Sequence, residues 1–213
     1  MDAISGIEAA AFSGPPVSLI SGMPGGLILF RGDAALSHLS SRLISWRLAM
    51  RERVLFIDGD NRFNPYPIAN LAKRIGRDPG TFLSSIFISR AFTCHQMSSL
   101  ITRQLGDGIA RHRPRLVLLA EPLATFYDES IPHLERKTLL SRAVAALARS
   151  AREGTWIVML ASAPSSRKQA LLFSMIHHAA QRVFSVQTDE KEILIREETG
   201  AFGNRAPQTI GRR

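Results

Sequence analysis

Cysteine is nearly absent from this chain. Cys94 is the only one in 213 residues, so no internal disulfide can form and a reducing, cytoplasmic setting is expected. Long hydrophobic runs are missing too: no stretch approaches the roughly 20 apolar residues that cross a bilayer, so no membrane association is expected. Met1 to Ser13 begin on an acidic residue and hold no basic segment, which argues against a secretory signal. Negative charge is in deficit. Asp and Glu number 18 against 27 Lys and Arg, a formal net charge of +9. A positive field of that size favours polyanions such as nucleic acid. Arginine greatly outnumbers lysine, a bias that genomic base composition also produces, so charge alone leaves nucleic-acid binding open.

What is present is enough apolar matter for one core, with 45% hydrophobic and 21% charged residues. Residues 1–26 read as a loop segment, punctuated by Gly14-Pro15-Pro16 and by glycine and proline from Gly22 to Gly26. Short continuous apolar runs follow at Leu27–Phe30, Val54–Ile57, Ile86–Ile88, Leu116–Leu119 and Trp156–Leu160, the mark of strands buried on both faces. Between them, helical spacing predicts helices over 34–50, 68–77, 96–111, 134–152 and 165–178, with Gly154 capping the fourth. Residues 182–187 and 192–197 read as two strands joined by the turn 188–191. Strands alternating with helices imply right-handed crossovers and a mostly parallel sheet covered on both faces, ending in an antiparallel pair. The expected organisation is a loop over 1–26, a core domain over 27–200 and a loose tail over 201–213.

In such a sheet the ligand site lies beyond the carboxyl ends of the strands. The first strand-to-helix link reads Gly32-Asp33-Ala34-Ala35-Leu36-Ser37-His38-Leu39. Set against the phosphate-loop pattern G-x-x-x-x-G-K-[ST], Gly32 fits the first glycine. Ser37 replaces the second glycine, His38 the lysine and Leu39 the hydroxyl residue. Each replacement removes a function. A second glycine lets the backbone curl around phosphate oxygens, the lysine supplies a fixed charge and the hydroxyl holds Mg²⁺. Histidine is shorter and mostly neutral at pH 7, and leucine cannot ligate a metal. The link reads either as a degenerate phosphate loop or as a plain strand, turn and amphipathic helix.

Longer blocks carry a resemblance. Phe56-Ile57-Asp58-Gly59-Asp60-Asn61-Arg62-Phe63-Asn64-Pro65 resembles the segment after the second strand of the RecA/RadA recombinase family. Ile68–Pro79 is similar to its next helix and turn, and Arg90-Ala91-Phe92 with His95-Gln96 resembles its R-A-F…H-Q stretch. Leu116–Leu119 sits where the Walker B strand belongs. The resemblance covers about residues 18–200 and implies an α/β, RecA-like P-loop ATPase core. It is closest to paralogues made of the core domain alone.

The resemblance also implies where the working parts would be. The residue that activates water is a glutamate in the family and Asp60 here, which reads equally as a turn residue. The Walker B aspartate falls at Ala120, with Glu121 one residue late and expected to face elsewhere. The polar sensor after the fifth strand falls in Leu160-Ala161-Ser162-Ala163. Asp60 and Glu121 are therefore vestigial candidates, no catalytic residue or metal site is expected, and no cofactor is expected, with ATP and Mg²⁺ kept only as the disfavoured option. The family's two DNA loops would correspond to 125–132 and 163–169. The first is acidic, with Phe126 and Tyr127 able to stack on bases or to pack in the core. The second offers Arg167 and Lys168. Arg111, His112, Arg113 and Arg115 at a helix end suit the helix dipole, Arg136, Lys137, Arg142, Arg149 and Arg152 read as a solvated face, and His177-His178 as part of a helix. The implied function is a recombinase paralogue without ATP hydrolysis, an accessory factor in recombination or repair. Its expected partners are single-stranded DNA, a recombinase or other repair protein, and further copies of itself. Two alternatives stand beside it: an ATPase using His38 with Ser37 or Ser40, and a regulator that binds only protein.

Overall fold

A computed structural model describes residues 25–152, 155–189, 192–198 and 208–211. Most of the expected loop over 1–26, the Gly154 cap and the Glu190-Lys191 part of the expected turn lie outside the described residues. The apolar runs are strands: β1 (Gly26–Gly32), β2 (Val54–Asp58), β3 (Ile86–Arg90), β4 (Leu116–Ala120) and β5 (Trp156–Ser162). β1, β2, β4 and β5 carry unbroken apolar stretches because successive side chains point to opposite faces and both faces are covered, whereas β3 lies at the edge of the sheet and is only partly buried, so Ile86–Ile88 is not covered on both faces as expected. Ile28, Phe30, Val54, Phe56, Leu116 and Leu118 pack under α1 (Ala35–Ala49), α2 (Tyr66–Arg74) and the short α3 (Pro79–Leu83). Their neighbours Leu27, Leu29, Leu55, Ile57, Val117 and Leu119 pack under α4 (Cys94–Ser99), α5 (Leu105–His112), α6 (His133–Arg152) and α7 (Arg167–Ala179). The link between α4 and α5, Leu100–Gln104, winds as a π-helix, so the expected single helix over 96–111 carries a bulge. The sequence pattern gave no sign of α3.

The sheet runs β3-β2-β4-β5-β1-β6-β7-β8, with β6 (Arg182–Asp189), β7 (Glu192–Glu198) and β8 (Gln208–Gly211). β6 lies parallel to β1, Ile28 opposite Arg182, so the antiparallel part begins only at β7. Residues 208–211, expected within a loose tail, pair antiparallel with β7, where they cover what would otherwise be an open edge. Among the described residues no helix is long and apolar enough to cross a membrane. Because β1 to β5 all point one way, the links that follow them meet along one rim, and that rim is where site residues converge.

Candidate functional site

The β1–α1 link is only two residues long. β1 ends at Gly32 and α1 begins at Ala35, so Leu36, Ser37, His38 and Leu39 are already helical rather than part of a loop. Asp33 closes the link. Its Oδ1 accepts from Ala35 N at 2.9 Å, and its backbone oxygen accepts from Leu36 N at 3.0 Å. Two of the N–H groups that a helix start would turn toward an anion are thus already engaged, Ala35 N by the Asp33 carboxylate, which matches the dipole, and Leu36 N by the Asp33 backbone oxygen. Ser37 Oγ donates to Ala34 O at 2.9 Å, and Ser37 and His38 are exposed. Leu39 is 1% exposed and belongs to the core. Gly32 has a packing reason to be glycine. A Cβ there would stand 2.2 Å from the backbone oxygen of Val186 on β6.

The β2 link is organised by Asp58, which is fully buried. Its carboxylate accepts from Arg62 N at 3.1 Å and Phe63 N at 3.2 Å, and meets Arg90 Nε at 3.4 Å. This folds residues 59–63 into a tight turn with Asn61 at φ 56°. Gly59 N donates to Ala120 O at 2.9 Å, and a Cβ on Gly59 would come within 2.3 Å of Glu121 O, so the turn is pressed against the end of β4. Asp60 is held above this turn, 3.5 Å from Arg62 Nε. Loss of water, followed by the negative charges of Asp58 and Glu121, pushes its carboxyl above the usual aspartate range.

Glu121 does not face elsewhere. It adopts φ 45°, in the left-handed region, and this breaks the strand alternation that would have turned it away. Its carboxylate oxygens each lie 3.0 Å from Ser162 N, and Oε1 accepts from Ser162 Oγ at 2.5 Å. The ends of β4 and β5 are stitched together there, and the backbone adds Glu121 N to Leu160 O at 2.8 Å. Tyr127, half-buried beside this pair, has its phenol pushed up to about 12 by burial and by the charge of Glu121.

Gly32, Ser37, His38, Asp60 and Glu121 therefore line one cavity of about 750 Å³, together with Asp33, Ser40, Arg62 and Ser162. Leu39, Arg167 and Lys168 are not among its walls. Among the described residues, three carboxylates, Asp33, Asp60 and Glu121, border it against one arginine and one histidine, and no lysine lines it. Such walls disfavour a triphosphate, and the residues at the helix start do not fit Mg²⁺ held by a loop hydroxyl: Leu39 is buried, and the first turn already has its own carboxylate. Because the folded-state pKa of Asp60 is raised, the folded protein binds the extra proton, so this residue costs stability progressively as pH rises from its unfolded pKa through the raised folded one. Asp60→Asn is expected to raise the urea midpoint at pH 7, with the difference shrinking toward pH 3, where the unfolded aspartate also becomes protonated. An equal gain at both pH values contradicts this.

The basic candidates separate. Arg167 and Lys168 start α7, whose cap is Ser166, with its hydroxyl accepting from Gln169 N at 3.2 Å. Both are exposed, and Lys168 Nζ is 2.9 Å from Glu129 Oε2, so its charge is shared. Phe126 is fully buried and packs in the core, which leaves no face for a base. Arg136 departs from the expected solvated face. It is 4% exposed, and its Nη1 donates to Phe126 O at 3.0 Å, pinning the 124–127 turn to α6. His112 stacks on Phe87 with ring centroids 3.7 Å apart, Arg113 ends α5 in the left-handed region, and Arg115 meets Glu52 at 3.7 Å, so that cluster is structural. His177 lies on α7 beside Glu198 at 3.3 Å.

Sequence reading missed two features. Asp33 precedes a helix start, where an aspartate commonly caps the first turn, and that position is the signal for it. Asp58 appeared only as the end of a strand, because its three partners are set by the fold of the turn. A family model described as Rad51 matches residues 39–179. The match starts inside α1, so β1 and the Asp33–His38 segment lie outside the matched span.

Proposed function

The chain belongs to the Rad51 family of recombination and repair proteins, and from that premise we propose an accessory factor that does not hydrolyse ATP and works through DNA, a partner repair protein, or both. The observation that carries this reading is the carboxylate of Asp33, the residue that follows β1, on the first turn of α1. Phosphoryl transfer depends on positioning and charge stabilisation of the phosphates. Here the helix start is engaged by an anion of the chain itself, the lysine position is His38, and the carboxylate after β4 is committed to Ser162. Each missing stabilising group costs on the order of 10²–10³ in rate, and their combined loss leaves no useful turnover.

The test is binding of a fluorescent ATP analogue with Mg²⁺, alongside steady-state ATPase assays. The wild type is expected to show neither saturable binding nor turnover. The double variant H38K/L39T is expected to be equally silent, because both residues lie on a helix rather than on a loop that wraps phosphate. Saturable, Mg²⁺-dependent binding that His38→Ala or Asp60→Ala abolishes would overturn the reading in favour of an ATPase. The DNA part is tested by anisotropy with a single-stranded oligonucleotide over a salt series, where a steep fall in affinity with salt is expected. Absence of binding even at low salt would leave the protein-binding part alone.

A further inference from the structure

The end of the sheet opposite the rim gathers positive charge. Arg53 stands just before β2 and Arg115 just before β4, its neighbour in the sheet. Arg115 N donates to Arg53 O at 3.3 Å, and Arg53 Nη1 donates to His112 O at 3.3 Å, beside Arg113. Arg51 lies two residues past α1, and Arg113 directly past α5. Their φ values are 59° and 46°, a left-handed conformation that glycine or asparagine adopts at lower cost. Both residues are exposed, so packing gives no reason for arginine at either place. The ties that make this cluster structural also set its charges out on one face: Arg115 keeps 66% of its side chain exposed while it meets Glu52. Among the described residues Glu52 is the one carboxylate shown against the group, and it serves two guanidiniums, Arg47 Nη1 at 2.8 Å and Arg115 Nε at 3.7 Å. Arg47 is 6% exposed, held between the rings of Trp46 and Trp156 at 3.9 and 4.0 Å, and its Nε has no hydrogen-bond partner. Burial, with the charge of Arg115 adding to it, pulls the Arg47 pKa below the usual arginine range. A buried guanidinium is best served by a carboxylate it does not share. A second carboxylate arriving on Arg115 and Arg53 would leave Glu52 to Arg47 and neutralise the surplus.

We infer that this end binds an acidic polypeptide segment of a partner protein, its carboxylates on Arg51, Arg53, Arg113 and Arg115 and an apolar side chain on Met50. Met50 is 43% exposed and adjoins Arg51 in the chain. The last carbonyls of α1 and α5 face the same end, and they accept from peptide N–H groups, which a phosphodiester lacks. Nucleic-acid bases would find no platform here. The exposed aromatic rings among the described residues, Tyr66 and Phe92, lie on links at the opposite rim. That rim is lined by Asp33, Asp60 and Glu121, so an acidic segment is drawn to the arginine end and repelled from the cavity. The inference rests on the partner-protein part of the proposed function and names the chemistry and the face of that contact.

Trp46 and Trp156 are the chain's two tryptophans and both stack on Arg47, so the intrinsic fluorescence of the full chain reads this site. The probe is a short peptide of glutamate, aspartate and leucine, titrated beside the same peptide with glutamine and asparagine in place of the acids. The acidic peptide is expected to give a saturable fluorescence change that weakens with salt, and the amide peptide none. The double variant Arg51→Gln/Arg113→Gln is expected to bind the acidic peptide about tenfold more weakly. Arg142→Gln, an exposed arginine midway along α6, removes charge elsewhere and should stay within about twofold of wild type. If the double variant does not fold by circular dichroism, Arg115→Gln alone takes its place, with a loss of about fivefold expected. No saturable change at low salt, equal response to both peptides, or wild-type affinity in the arginine variants each overturns the assignment. Duplex DNA that binds through these arginines and that the acidic peptide cannot displace would overturn it in favour of a nucleic-acid face. The ATP and oligonucleotide tests of the proposed function do not involve these residues, so that reading and this face can fail separately.

Discussion

Asp58→Ala is expected to destabilise the protein by on the order of 3 kcal/mol, because it strands two backbone donors and removes the partner of a guanidinium at once. The donors are Arg62 N and Phe63 N, and no other side chain is shown to take them. Arg90 contributes less to the loss, since nearly half of it is already in water and can rehydrate. Asp58→Asn, which keeps one acceptor oxygen, is expected to fall between the two. Chemical denaturation of the three proteins gives the comparison, and a loss below about 1 kcal/mol for the alanine variant would mean that the turn is held by other contacts.

Gly32→Ala is the second large effect, expected at about 3 kcal/mol, the upper end of what overpacking costs. The added methyl meets the backbone oxygen of Val186 at 2.2 Å, and a backbone atom in a paired strand cannot swing aside as a side chain would. The seam between β1 and β6 must open instead. The loss should appear in protein that has never met nucleotide. That separates packing from the alternative origin of this glycine, since a residue kept only so that phosphate could approach would be replaceable without a drop in melting temperature.

The fold was legible because its central strands, β1, β2, β4 and β5, are buried on both faces. Leu27–Phe30, Val54–Ile57 and Leu116–Leu119 are unbroken apolar runs, and such runs separated by helical spacing leave few arrangements other than a parallel sheet. Elements outside the matched pattern were less visible. Residues 208–211 carry no such run, and their pairing depends on the edge that β7 offers. At the site, Gly32, Ser37 and His38 were picked out from the phosphate-loop pattern and Asp60 and Glu121 from the family resemblance, and the fold gathers them around one cavity. Their roles were not legible. Where the helix begins decides whether Ser37 and His38 sit on a loop, and one left-handed residue decides where the Glu121 carboxylate points. Leu39 was placed by analogy with a hydroxyl residue, yet at that position it is an ordinary core leucine of an amphipathic helix. Arg136 read as solvated because a helix with cations scattered around it does not reveal which of them is turned inward.

The brevity of the β1–α1 link has a consequence for the routes by which this sequence can change. Base substitutions in the gene alter side chains one at a time but leave chain length untouched. A lysine and a threonine acquired that way would still sit on a rod that starts two residues after the strand. Recovering a wrap around phosphate needs extra codons between Gly32 and Ala35. Directed evolution by error-prone copying would therefore search in vain, whereas a library of short in-frame insertions at that junction is the place to look.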